Sequence, residues 1–185
     1  MGSDLVGRTA SWRSGGSRKP MQEPADSPRR WCFGCGDRNP EGLHIDFEIE
    51  GRRASGRFRP RETHQGWPGL AHGGVAAAAL DEAMGWAMYA AGAWAMTARM
   101  EVKYRRPLPL REELLVSAEV TRDRGRRLEA EAEVRTPSGE VLAQAHGLFL
   151  RVPEDRAREL DASFLGGDGA QAGGLDKEDV SSRSS

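Results

Sequence analysis

The stretch His72-Gly73-Gly74-Val75-Ala76-Ala77-Ala78-Ala79-Leu80-Asp81-Glu82-Ala83-Met84-Gly85-Trp86-Ala87-Met88-Tyr89-Ala90-Ala91 decides how the rest of this chain folds. From Gly74 to Ala91 its only charged residues are Asp81 and Glu82. A helix that is apolar on nearly every side is a buried one. At roughly 18 residues it approaches the length of a membrane span, but carboxylates at the centre of a bilayer are costly. The stretch therefore predicts a helix wrapped by other elements of one domain. Its first turn carries adjacent glycines, so N–H groups without an intrahelical partner stand unshielded at the positive end of the helix dipole. Such a helix start suits an oxyanion or a polarised carbonyl. Asp81 is a carboxylate on a surface that otherwise excludes water, and it needs partners there. On the helix alone, a structural bond to a neighbouring strand and a chemical role are both open.

Outward from the helix, the hydrophobic period changes from helical to two. Upstream, Leu43, Ile45, Phe47 and Ile49 alternate as a strand, and after the turn at Gly51-Arg52 residues 54–59 return as a second. Pro60 to Gly69 is a loop containing His64, Gln65, Gly66, Trp67 and Pro68. Downstream, Met96, Ala98, Met100, Val102 and Tyr104 alternate with Thr97, Arg99, Glu101, Lys103 and Arg105 until Pro107 and Pro109 stop the run. Leu114 to Val120, Leu128 to Val134 and Val141 to Arg151 give three more strands, separated by the turns Arg122-Asp123-Arg124-Gly125 and Thr136-Pro137-Ser138-Gly139. A short helix follows from Glu154, within residues 154–165. Short links imply an antiparallel sheet. One nearly all-apolar helix is best covered by a strongly curved sheet, an α+β arrangement.

The 185 residues suit one domain. The formal charge of −1 gives no basic field that would argue for nucleic acid. Apolar content is 38%, and the deficit sits at the ends. Residues 1–30 are rich in Gly, Ser, Arg and Pro, and residues 166–185 are Gly-rich and then charged, so both read as disordered tails. The folded part is then residues 31–153, with the short helix after it. The N-terminal arginines lack the apolar spacing of a transit peptide, no secretory segment is evident, and the default location is cytoplasmic. Cys32-x-x-Cys35 is half a zinc site that His44, His64 or a second chain could complete. The preferred reading is two small thiols packing a turn, with no metal.

The pattern resembles a hotdog-fold domain, and within that fold the phenylacetic-acid-degradation-type (PaaI-like) acyl-CoA thioesterases. The resemblance runs over residues 31–152. It rests on Cys32-Phe33-Gly34-Cys35-Gly36, Asn39-Pro40-Glu41-Gly42-Leu43, Gly66-Trp67-Pro68-Gly69-Leu70-Ala71-His72-Gly73-Gly74, Leu80-Asp81-Glu82 and Thr97-Ala98-Arg99-Met100-Glu101-Val102-Lys103-Tyr104-Arg105-Arg106-Pro107. It implies that Gly73 or Gly74 polarises a thioester carbonyl, that Asp81 is general base or nucleophile, and that Thr97 positions water. His72 is expected to orient the helix start. Some relatives carry Asn six residues before the His; Gly66 holds that place here, with His64 and Gln65 nearby as candidate substrate contacts. Lys103, Arg105 and Arg106 are candidates for the phosphates of coenzyme A, against a plain solvated face. Trp67, Trp86, Trp94 and Met84 could line an acyl pocket, although such residues are more often core.

Gly74 and Asp81 are seven residues apart, or about 10 Å along the axis at ~1.5 Å per residue. One thioester carbon cannot touch both on the same helix. A shared reaction therefore requires two chains, one giving the N–H and the other the carboxylate, in a homodimer or a dimer of dimers. The expected partners are an acyl-CoA and a second copy, with neither nucleic acid nor membrane. Coenzyme A enters as part of the substrate, without other cofactors. Two other readings stay open, a hotdog β-hydroxyacyl-thioester dehydratase or hydratase using His72 or His64, and a non-catalytic acyl-thioester binder.

Overall fold

A computed structural model describes residues 27–165. Its elements run β1 (Asp46–Glu50), β2 (Arg53–Phe58), α1 (Gly73–Ala90), β3 (Ala95–Tyr104), β4 (Leu114–Arg124), β5 (Arg127–Arg135), β6 (Val141–Arg151) and α2 (Glu154–Leu165). The six strands form one antiparallel sheet in the order β1-β2-β4-β5-β6-β3. The expected tails, residues 1–30 and 166–185, lie outside the described residues except for 27–30. Ser27 and the 3-10 turn Pro28–Trp31 pack beside α2, and the Ser27 hydroxyl donates to the Phe164 carbonyl at 2.8 Å.

The sheet curves around α1, as the sequence pattern predicts. Leu80, Met84 and Met88 point from the helix into the core and meet Leu114, Val116, Leu128, Val134 and Phe149 from the sheet. Register shifts between Val120 and Arg122 and between Val134 and Arg135 add the local twist that lets a flat ladder wrap. Val134 and Phe149 are the inward members of alternating strands, so each strand buries one face only.

Two expectations are corrected. The first strand begins at Asp46, because His44 takes a left-handed φ of 53°. Leu43 and Ile45 instead donate their N–H groups to Phe33 and Gly34, at 2.7 and 2.9 Å, tying the strand entry to the cysteine turn. Second, α1 is not wrapped on every side. The sheet leaves an open stripe on which Gly74 is exposed and Ala78, Asp81 and Gly85 are half-buried, and a Cβ at Gly85 would meet nothing within 4 Å. Alanine and glycine tolerate either environment, so the hydropathy of the run could not reveal the gap. Trp86 and Met84 are core, the more usual place for such residues, with Trp86 tilted against Phe47 and edge-on to Tyr89. Trp94 bonds Asp161 of α2 at 3.2 Å, and Trp67 stands 78% exposed in its loop.

Candidate active site

The chain enters α1 through a loop whose backbone leaves little slack. His72 N donates to the His64 carbonyl at 2.8 Å, and Ala71 N to the Leu108 carbonyl at 2.9 Å. A Cβ on Gly66 would lie 2.8 Å from the His72 Cα. Only glycine lets the loop pass this close, which is the physical reason for Gly66 at that position.

His72 is the N-cap. Its backbone is extended, at φ −61° and ψ 142°, and its Nδ1 accepts the Gly74 N–H at 2.9 Å. A neutral ring accepting at Nδ1 carries its proton on Nε2. The Val75 N–H goes to the His72 carbonyl at 2.9 Å. The Gly73 N–H has no acceptor among the described residues. Tyr104, at the far end of β3, donates its hydroxyl to the Gly73 carbonyl at 3.0 Å and so fixes the same turn from the other side. A cleft of about 320 Å³ opens here, lined by Phe33, His64, Gln65, His72, Gly74 and Val75.

Two turns along the open stripe, the Thr97 hydroxyl donates to Asp81 Oδ1 at 2.7 Å. Alternation alone would have placed Thr97 with Arg99, Glu101 and Lys103 on the outer face of β3. The ladder pairs Thr97 with Phe149 and Arg99 with Leu148, so Ala98 is an extra residue in a bulge. Opposite residues of an antiparallel pair share a face. Phe149 faces the core, and so do Gly147 and Ala145 opposite Met100 and Val102. The bulge thus brings Thr97 onto the helix side along with Met100, Val102 and Tyr104. It turns Met96, opposite Leu150, out to 52% exposure. Asp81, read from sequence as a buried acid, is half-buried in the single chain.

The structure therefore brings Asp81 to Thr97, and His72 to Gly73 and Gly74, but keeps the two groups separate along the helix. His64 walls the cleft with both ring nitrogens engaged: Nδ1 accepts the Arg61 N–H at 3.1 Å and Nε2 faces the Glu41 carbonyl at 3.1 Å. Gln65 is spent on its own loop, accepting from Gly69 N at 3.0 Å. Lys103, Arg105 and Arg106 are exposed at the end of β3, beside Glu101 (3.8 Å), Gln144 (3.3 Å) and Glu140 (3.3 Å) respectively. Tyr104 was visible from sequence only as a strand end; its part in holding the helix start needed the fold.

Next to Asp81 on α1, Glu82 lies against the cysteine turn. Cys32 Sγ is 3.5 and 3.4 Å from the two carboxylate oxygens, and the Trp86 indole N–H donates to Oε1 at 3.1 Å. Burial pushes the Glu82 carboxyl up to about 7. The Cys35 thiol and the N–H groups of Gly34 and Cys35 hold Cys32 below the usual thiol range, and Cys35 is correspondingly raised. His44 and His64 do not join this group.

One central helix in a curved six-stranded sheet, with a glycine helix start and a carboxylate on the open helix face, defines a hotdog domain. The model of the thioesterase superfamily matches residues 68–143, which hold His72, both glycines, Asp81 and Thr97. Acyl-coenzyme A thioesterase THEM4 of Bos taurus is 32% identical over 122 residues, covering 63% of this chain and 50% of that protein. The chain spans about half the length of the curated relatives it matches. A crystal structure of a thioesterase superfamily protein superposes with a TM-score of 0.63 at 31% identity, covering 65% of this chain and 60% of the other. A variant of phenylacetic acid degradation protein PaaI from Thermus thermophilus gives 0.56 at 25%, covering 60% and 96%. The described domain has the hotdog fold and is similar to proteins of the thioesterase superfamily, PaaI among them.

Proposed function

We propose that this protein hydrolyses an acyl-CoA thioester to free acid and coenzyme A, at a site shared by two copies of the chain. The observation that carries this reading is the Thr97–Asp81 bond of 2.7 Å on the open stripe of α1, which only a bulge in β3 makes possible. A bulge that re-aims one hydroxyl onto one carboxylate is the kind of local departure that accompanies active sites.

Asp81 takes a proton from water as the water oxygen attacks the thioester carbon. Thr97 uses its hydrogen to hold Asp81 and keeps oxygen lone pairs with which to orient that water. The Gly73 N–H of the other copy receives the developing oxyanion, with the helix dipole behind it. The C–S bond then breaks, and the departing thiolate recovers the proton from Asp81. No further cofactor enters the scheme. Lys103, Arg105 and Arg106 are the candidates to meet the phosphates of coenzyme A, against a plain solvated strand face.

Support for two copies comes from the separation of roughly 10 Å between helix start and carboxylate. The small residues along the open stripe would let a second α1 approach closely, and β3 is a sheet edge with its outer side free to pair. Against a histidine-driven dehydratase, Nδ1 of His72 is taken by its own helix and both nitrogens of His64 by backbone. Cys32 and Cys35 are free thiols, which fits a reducing compartment such as the cytoplasm.

The test is a panel of short, medium and aromatic acyl-CoAs with released thiol followed by a colour reagent, alongside Asp81→Asn. Thiol release that is lost in Asp81→Asn supports hydrolysis. Binding without release across the panel would make the protein a binder, and hydration of an enoyl-CoA without cleavage would make it a hydratase.

A further inference from the structure

We propose that Cys32, Cys35 and Glu82 form a structural site for a thiophilic divalent cation, zinc above all, which clamps the N-terminal turn to the central helix. One ligand atom from each of the three lies within 4.8 Å of the others. For ~2.3 Å zinc–sulfur and ~2.1 Å zinc–oxygen bonds, the sulfur–oxygen edge of a tetrahedron is about 3.6 Å. The Cys32 sulfur already sits 3.5 and 3.4 Å from the two Glu82 oxygens.

The turn has the form such a site needs. Gly36 N closes the turn on the Cys32 carbonyl at 3.0 Å. Gly34 lies so close to the helix that a Cβ there would fall 2.4 Å from Glu82 Cγ, so the turn is pressed against the carboxylate. The Trp86 indole N–H at 3.1 Å holds one carboxylate oxygen from behind, as outer partners orient metal ligands. Glu82 lies against the Cys32 sulfur and accepts the Trp86 indole N–H. A cation would offset the cost of burying its charge.

Thr97 and Cys32 lie against different flanks of α1, so this site is separate from the Asp81 site and does not depend on the proposed hydrolysis. The fourth coordination position is left to solvent. With two thiolates and one carboxylate, the donor set suits zinc over calcium or magnesium, which take oxygen ligands.

The test uses the full chain, reduced, stripped with a chelator and titrated with Co²⁺ as a spectroscopic probe, then with Zn²⁺. The expected result is a saturable thiolate-to-cobalt charge-transfer band with tetrahedral visible bands, abolished by zinc. Zinc should also raise the melting temperature of the wild type. Cys32→Ser and Cys35→Ser, checked for native circular dichroism, should lose the band and the thermal shift. Glu82→Gln, which keeps the side-chain shape, should weaken binding while retaining a thiolate band. A wild-type protein that shows no charge-transfer band with both thiols free overturns the proposal. So does a band unchanged in the serine variants, and affinity unchanged in Glu82→Gln removes the carboxylate from the site.

Discussion

Replacing Gly73 by proline should remove one backbone N–H from the helix start and almost nothing else. Gly73 is the first residue of α1, the helical position that tolerates proline best. The residue before a proline must be extended, and His72 already is, at φ −61° and ψ 142°. A Cβ at position 73 would lie 3.5 Å from the Tyr104 ring, an ordinary contact. The His72 cap on Gly74 at 2.9 Å is untouched. Folding stability should therefore stay within about 1 kcal/mol of wild type, since the stiffer unfolded chain offsets small strains. Loss of one oxyanion donor typically costs about 100- to 1,000-fold in kcat, or ~2.7–4 kcal/mol. The assay is thiol release from the best acyl-CoA of the panel, with Gly73→Ala as the control that keeps the N–H. The expected pattern is a large loss in proline and near wild-type turnover in alanine. Wild-type turnover by a folded Gly73→Pro would refute the assignment of that N–H.

Thr97→Val keeps the side-chain shape and deletes the bond to Asp81. It should lower kcat by about 10- to 100-fold, the equivalent of the ~1.5–3 kcal/mol that hydrogen bonds to charged groups carry, and Thr97→Ser should restore most of it. Gly66→Ala forces the loop off the His72 backbone. Chemical denaturation should show a loss of about 1–3 kcal/mol, and kcat should fall as the helix start moves. Tyr104→Phe frees the Gly73 carbonyl and should cost about 0.5–1.5 kcal/mol of stability in the same measurement. Gly85→Glu adds a side chain into open space and improves helix propensity by some tenths of a kcal/mol, so a lone chain should tolerate it. On a stripe shared by two helices it should break the dimer in light scattering and abolish turnover.

Much of this architecture was legible in the residues. The apolar run after His72-Gly73-Gly74 and the period-two segments on either side of it yield the helix, the six strands and the curved sheet. Asp81 stands out because it is a charge in an alanine-rich helix. The partnership of Thr97 with Asp81 was not legible from alternation, which sends Thr97 outward; a bulge is one unpaired residue with no composition signal in Met96-Thr97-Ala98-Arg99. The resemblance supplied that pair instead. Glu82 was hidden for another reason. Its contact with Cys32 spans 50 positions, and only the fold shows that the turn closes on the helix beside it. Lys103, Arg105 and Arg106 were legible as a charged strand end, and each has a neighbour in its own chain.

Subunit complementation tests the shared site most directly. Asp81→Asn and Gly73→Pro, each inactive alone, are co-expressed with different tags, and the assembled protein is assayed. A mixed dimer holds one site with the Gly73 N–H from the first chain and Asp81 from the second, both intact. Random pairing makes half the dimers mixed with one good site of two, so about a quarter of the wild-type rate should return. A mixture that stays as inactive as its parents, with mixed dimers demonstrably formed, would put both groups of each site in a single chain and contradict the account.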